Sequence, residues 1–126
     1  MDRLTPRDVI RAFDRQVRTP NWKRLICVCQ RRRFFLRINS EPIWHPHVII
    51  RQLDCRDFLN WDSYVELQEL MRVGVADLST ALARDDNPLG RLNDIVAREI
   101  AMAARQATTL SDERRAIVWE GLVGKP

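Results

Sequence analysis

Asp54-Cys55-Arg56-Asp57-Phe58-Leu59-Asn60-Trp61-Asp62-Ser63-Tyr64-Val65-Glu66-Leu67-Gln68-Glu69-Leu70 is the stretch on which the fold turns. Residues before it form short apolar runs, and residues after it follow helical spacing. Within it, the polar turn Leu59-Asn60-Trp61-Asp62 precedes a strand-like run from Ser63 to Leu67. The stretch also sets carboxylates and a hydroxyl beside bulky aromatics, so it is both a hinge and a candidate site.

Toward the N-terminus, His47 to Leu53 is rich in Val and Ile and predicts a strand. Ser40 to Pro46 is a loop, because Pro42 and Pro46 each bias the preceding residue away from helix. Phe34 to Asn39 alternates, with Phe34, Leu36 and Ile38 on one face and Phe35 and Arg37 on the other. Trp22 to Gln30 alternates too, with Leu25, Cys27 and Cys29 opposite Ile26 and Val28. Both of its faces are apolar enough for a central strand. The polar break Gln30-Arg31-Arg32-Arg33 joins the two runs as an antiparallel hairpin. Thr5-Pro6 has the form of a helix start, and Val9, Ile10, Phe13 and Val17 fall on one helical face before Pro20. The spacing therefore predicts a helix over residues 1–20.

Toward the C-terminus, Asp77 or Ser79 opens a short helix through Leu82. Asn87-Pro88 predicts the start of a longer one, with Leu89, Leu92, Ile95, Val96 and Ile100 as its buried stripe to about Ala107. Ser111 caps a last helix, Asp112 and Glu113 favour its positive end, and Gly121 or Gly124 closes it. The expected architecture is one α+β domain over residues 1–126. It has a helix over 1–20, a small, strongly bent antiparallel sheet over about 22–70, and a helical part over 75–123.

Composition narrows the class further. A chain of 126 residues has material for one hydrophobic core, and 45% apolar with 30% charged residues is a globular balance. No run approaches the ~18 uncharged apolar residues of a membrane span. Asp2 and Arg3 begin a segment without an apolar signal core, so secretion is not expected. An odd count of cysteines (Cys27, Cys29, Cys55) predicts reduced thiols and a cytoplasmic location. The net charge of +4 is uneven: residues 1–51 hold twelve Lys/Arg against four Asp/Glu, and the remainder holds nine against thirteen. That asymmetry suits a polyanion or an acidic partner, or simply a solvated basic face.

Few constellations carry chemistry. Cys27-x-Cys29 with His45 and His47 lacks the paired spacing of zinc ligands, so no metal is expected. Cys55 with either histidine is a conceivable nucleophile–base pair, but nothing in the sequence brings the pair together, and a half-buried structural cysteine is the favoured reading. No glycine-rich phosphate loop is present, and no cofactor is expected. Arg31, Arg32 and Arg33 border Phe34 and Phe35, a basic and aromatic grouping suited to phosphate contact and base stacking. The alternative is a charged hairpin tip over two core phenylalanines. Asp62-Ser63 near an arginine suits acid–base work on a ribose hydroxyl, and Asp62 equally suits a turn cap.

Lys23-Arg24-Leu25-Ile26-Cys27-Val28-Cys29, Phe34-Phe35-Leu36-Arg37-Ile38-Asn39-Ser40 and Phe58-Leu59-Asn60-Trp61-Asp62-Ser63-Tyr64-Val65 together resemble distant PemK/MazF-like proteins, the toxins of bacterial type II toxin–antitoxin pairs. The likeness spans roughly residues 22–70. It implies a small SH3-like β-barrel with added helices, a homodimer, and metal-independent cleavage of single-stranded RNA. It also implies an antitoxin lying along the RNA groove. The Gly-Glu…Arg-Pro stretch of active members is missing, and Cys29-Gln-Arg-Arg-Arg-Phe34 stands there instead. By chemical type, the resemblance makes Arg37, Arg51 and Ser63 the catalytic candidates, and Asp62 joins them from the Asp62-Ser63 pair read above. Arg31, Arg32, Arg33 and Phe35 are the RNA-binding candidates. A non-enzymatic relative that binds nucleic acid or a protein with the same surface, in a mobile element, is the alternative reading.

Overall fold

The computed structural model describes residues 4–124. Six antiparallel strands lie side by side in one curled sheet, in the order His47–Ile50 (β4), Ser63–Glu66 (β5), Phe34–Asn39 (β3), Asn21–Cys29 (β2), Asp8–Asp14 (β1) and Gly90–Arg91 (β7). A seventh short strand, Met71–Arg72 (β6), pairs with the hairpin end of β3. The terminal strands β4 and β7 do not pair with each other, so the sheet is an open half-barrel. Three α-helices complete the described residues: Val75–Leu82 (α1), Asp94–Arg105 (α2) and Asp112–Leu122 (α3). Among the described residues no helix is long and apolar enough to cross a membrane.

Both faces of the sheet are covered, which explains why β2 and β3 read as continuous apolar runs. One core joins Val9, Ile26, Leu36 and Val65 to Val96, Ile100, Val118 and Leu122 of α2 and α3. A smaller core joins Ile10, Leu25, Cys27 and Phe35 to Leu78 and Ala81 of α1.

The helix expected over residues 1–20 is a correction: residues 8–14 form β1, the partner of β2 from Val9↔Ile26 to Asp14↔Asn21. Residues 1–3 of that expectation lie outside the described residues. Val9, Ile10 and Phe13 fit a helical stripe, yet a short run buried on both faces produces the same pattern in a central strand. Val9 enters the larger core while Ile10 and Ala12 enter the smaller one. The Thr5 backbone N–H and hydroxyl both donate to the Asp8 carboxylate, at 2.9 and 3.2 Å, so the residues expected to cap a helix close a turn.

Asn87-Pro88 likewise starts no helix. Asn87 is buried and stitches β1 to α1, accepting from Arg11 N–H (2.9 Å) and donating to the carbonyls of Arg11 and Ala81 (2.9 and 2.7 Å). The helix begins later, where the Asn93 side chain accepts from Val96 N–H. This shift turns Ile95 outward at 73% exposure, while Val96, Ala97, Ile100, Ala101 and Ala104 form the buried stripe. The capped helix from Ser111 forms as expected, the Ser111 hydroxyl accepting from Arg114 N–H. Gly121 lies inside α3 rather than at its end, and Gly124 follows the helix with the positive φ of 107° that suits glycine there. The strand expected over 47–53 stops at Ile50, and Gln52–Asp54 makes one tight helical turn.

Candidate nucleic-acid interface

At the end of the sheet away from the hairpin, β2 begins and β3 finishes. Their register sets Arg24 opposite Ile38, which brings Lys23 and Arg24 beside Asn39 and Ser40. Trp61 and Ser63 close the third side. Together with Asn21 and Trp22 these residues line a cleft of about 290 Å³ that has two cationic side chains and no carboxylate. The Arg24 Nε is buried without a partner, so the guanidinium keeps a donor for a ligand. Lys23 Nζ donates to Asn39 Oδ1 at 3.1 Å, which steadies the ammonium at the rim. Trp61 is 54% exposed and offers a free ring face. Trp22 does not, since Phe13 meets its ring edge-on at 5.8 Å and the Arg84 guanidinium lies 5.0 Å from its centroid.

A second hollow of about 140 Å³ adjoins the first across Lys23 and is lined by Arg18, Arg37, Trp44, Glu66 and Glu69 among others. Behind it lies a buried ion cluster. Arg37 Nε donates to Asp14 at 2.6 Å, and Nη1 donates to Glu66 at 3.3 Å and Glu69 at 2.6 Å. Asn39 donates to the other Glu66 oxygen at 3.1 Å. Burial works against the Arg37 charge, but hydrogen bonds to Asp14 and Glu69 and the charges of Asp14 and Glu66 outweigh it. The guanidinium is held more firmly protonated than an ordinary arginine.

The residues singled out from sequence separate into distinct regions. Arg37 sits in the ion cluster, and Ser63 lines the basic cleft with its hydroxyl donating to the Trp61 carbonyl at 3.0 Å. Asp62 accepts from Gln52 N–H at 2.8 Å, a turn-fixing role, with exposed Arg51 next in sequence to that donor. Phe35 is fully enclosed in the smaller core, so its ring has no face for a base. Arg31 is exposed at the hairpin, Arg32 pairs with Glu113 at 3.2 Å, and Arg33 Nε donates to the Val73 carbonyl at 3.0 Å. At roughly 3.3 Å per residue, the hairpin end of β2 at Cys29 stands about 17 Å along the strand from Arg24, and Arg31 lies beyond it. The structure thus gathers Lys23, Arg24, Ser40 and Trp61 at one end and leaves the arginine run at the other. Only the β2–β3 part was legible in principle, since counting outward from the Gln30–Arg33 turn brings Lys23-Arg24 near Asn39-Ser40; Trp61 joins them through the tertiary fold.

Cys27, Cys29 and Cys55 are all free thiols. Burial pushes the Cys27 thiol up to about 12, with Asp8 and Cys29 adding to the shift, and burial with Asp54 nearby takes Cys55 to about 11. Such thiols are poor nucleophiles at neutral pH. Among the described residues no three His, Cys, Asp or Glu gather to hold a metal ion. Native protein at pH 8 is expected to leave Cys27 and Cys55 unalkylated by iodoacetamide, as mass spectrometry would show. A raised thiol pKa stabilises the fold fully below its unfolded value of 9.0, and that stability is lost as pH climbs toward about 12. Urea titrations at rising alkaline pH should record the decline, which a Cys27→Ala chain would show less.

No family model matches the chain, and no curated protein matches it. Fold and cleft together define an α+β protein with a curled antiparallel sheet and a basic, tryptophan-flanked groove at its open end.

Proposed function

We propose that the chain binds single-stranded RNA in this groove, as a PemK/MazF-like member of a bacterial toxin–antitoxin pair. The observation that carries the reading is the cleft beside exposed Trp61, lined by Lys23 and Arg24 and by no carboxylate. Cations that track phosphates, next to a ring that stacks a base, are the combination single strands need. The half-barrel sheet with C-terminal helices is compatible with the SH3-like barrel of that family. A cytoplasmic setting, a homodimer and an acidic antitoxin segment competing for the groove belong to the same proposal.

Cleavage, if present, runs through the RNA's own 2′-hydroxyl. Its oxygen bonds to the adjacent phosphorus while the P–O5′ bond breaks, leaving a cyclic phosphate and a 5′-hydroxyl. One proton passes to water and another returns to the 5′ oxygen. Arg24 and the exposed Ser40 hydroxyl are placed to hold the charge that develops on the phosphate oxygens. The cleft lining has no imidazole or carboxylate to act as base, an observation that favours the non-enzymatic binding module as the second reading.

Affinity for a short RNA is expected to fall with salt, and Arg24→Gln should flatten the logarithmic slope by roughly 0.7. Trp61→Ala should cost about 1–3 kcal/mol of binding, the worth of one stacked base. The Arg31, Arg32 and Arg33 to glutamine triple variant is the rival footprint. Lost binding there, with binding kept in Arg24→Gln, would move the RNA to the hairpin and refute the cleft. Expression in bacteria separates the two readings. Growth arrest with fragmented transcripts, abolished by Arg24→Gln in folded protein, marks a ribonuclease; intact RNA with salt-sensitive binding marks a binding module.

A further inference from the structure

We propose that the hollow beside Trp44 is a base pocket that selects guanine, an inference that rests on the RNA reading above. Arg37 uses Nε and Nη1 on Asp14, Glu66 and Glu69, but its Nη2 is buried with no partner, and the side chain, 3% exposed, lines this hollow. A buried donor left unused is costly, because its lost hydration is not replaced. A ligand acceptor at Nη2 removes that cost.

The neighbouring group supplies the complement. Glu69 is 57% exposed at its side chain and meets Arg37 through one lone pair of Oε1, leaving Oε2 and the second lone pair of Oε1 for a ligand, whereas both oxygens of Glu66 are engaged by Arg37 and Asn39. The pocket therefore presents an N–H donor beside a carboxylate. Guanine has an edge to match: O6 accepts, and N1–H and N2–H₂ both donate in the same direction. Adenine, cytosine and uracil each have only one donor group on that edge, so each leaves part of the carboxylate unused. Trp44 is 46% exposed and lines the same hollow, which gives the base a ring to stack on. At about 140 Å³ the hollow lies below the range of drug-sized ligand pockets and suits a single ring system. It shares Lys23 with the basic cleft, so one nucleotide can place its base here and its phosphate there.

The test is fluorescence anisotropy with short oligouridylates that carry one central guanosine, adenosine, cytidine or inosine, beside the all-uridine strand. The guanosine strand is expected to bind roughly tenfold tighter, in the range of one good bidentate base contact. Inosine keeps O6 and N1–H but lacks the N2 amine, and it should lose most of that advantage. Glu69→Gln should lower the guanosine-to-uridine ratio, because an amide has a single acceptor oxygen; its melting temperature reports whether the fold is intact. If no strand binds, the RNA reading fails and the base pocket with it. If all strands bind alike, or another base is preferred, the RNA reading stands and the guanine pocket is overturned. A guanosine preference shared fully by inosine overturns the role of Glu69 in the same way.

Discussion

Arg37→Met is expected to lower stability by roughly 3–5 kcal/mol, enough to unfold a marginal domain. The substitution leaves Asp14, which is fully buried, and Glu66, nearly so, without the cation that both face. Buried carboxylates left without their partner cation are costly in a low-dielectric site. Urea unfolding read by tryptophan fluorescence provides the measurement. Methionine fills much the same volume, so a loss of that size reports charge rather than a cavity. Removing the charges together should restore much of the stability. A chain with Arg37→Met, Asp14→Asn and Glu66→Gln keeps acceptors for Gln16 N–H and for Asn39 and leaves the half-exposed Glu69 as the one ion of this cluster. A loss under about 1 kcal/mol from Arg37→Met alone would mean that the cluster is solvated. It would also remove the physical basis for a rigid base pocket.

Gly121→Ala should be nearly as damaging for a different reason. A Cβ at Gly121 would lie 2.0 Å from the Val28 carbonyl oxygen and 2.8 Å from its carbon. Val28 falls where the β2–β3 register shifts between Cys27 and Cys29, and α3 crosses β2 against that irregularity. The obstacle is backbone, which cannot yield without loosening the strand ladder or lifting the helix. Alanine gains about 1 kcal/mol of helix propensity over glycine, while overpacking costs typically 1–3 kcal/mol and more against a rigid wall. The clash wins, and we expect a net loss of at least ~2 kcal/mol. At about 4 °C per kcal/mol for a domain of this size, the melting temperature should drop by roughly 8 °C or more. An unchanged melting temperature would show that α3 can move away from β2.

Both predictions concern features that pattern reading misjudged, and the causes are physical. Arg37 stands in an alternating strand where it reads as a surface cation available for chemistry. Only β1, β5 and the segment after it, folded together, supply the Asp14, Glu66 and Glu69 carboxylates that enclose it. Gly121 and Gly124 read alike as helix terminators, and Gly124 is the one that follows α3; the close approach of Gly121 to Val28 is invisible until α3 is docked. Phe35 and the arginine run look like a binding surface in sequence, yet the ring faces inward and two of the three arginines are engaged elsewhere.

The sequence by itself determined the α+β division, the β2–β3 hairpin, the strand after the Leu59–Asp62 turn and the Ser111-capped helix. Each of these follows from interactions between residues close in the chain: side-chain alternation, turn chemistry and a capping hydroxyl. Tertiary structure decided that residues 8–14 form a strand, because Val9 and Ile10 are buried against different helices on opposite faces of one sheet. It also decided that Asn87 bridges β1 and α1, and that helix α2 waits for Asn93. The groove is likewise a product of register, since Lys23-Arg24, Asn39-Ser40 and Trp61 meet only when β2, β3 and β5 align. Burial on both faces and contacts between distant segments set these choices, and neither is written in local periodicity.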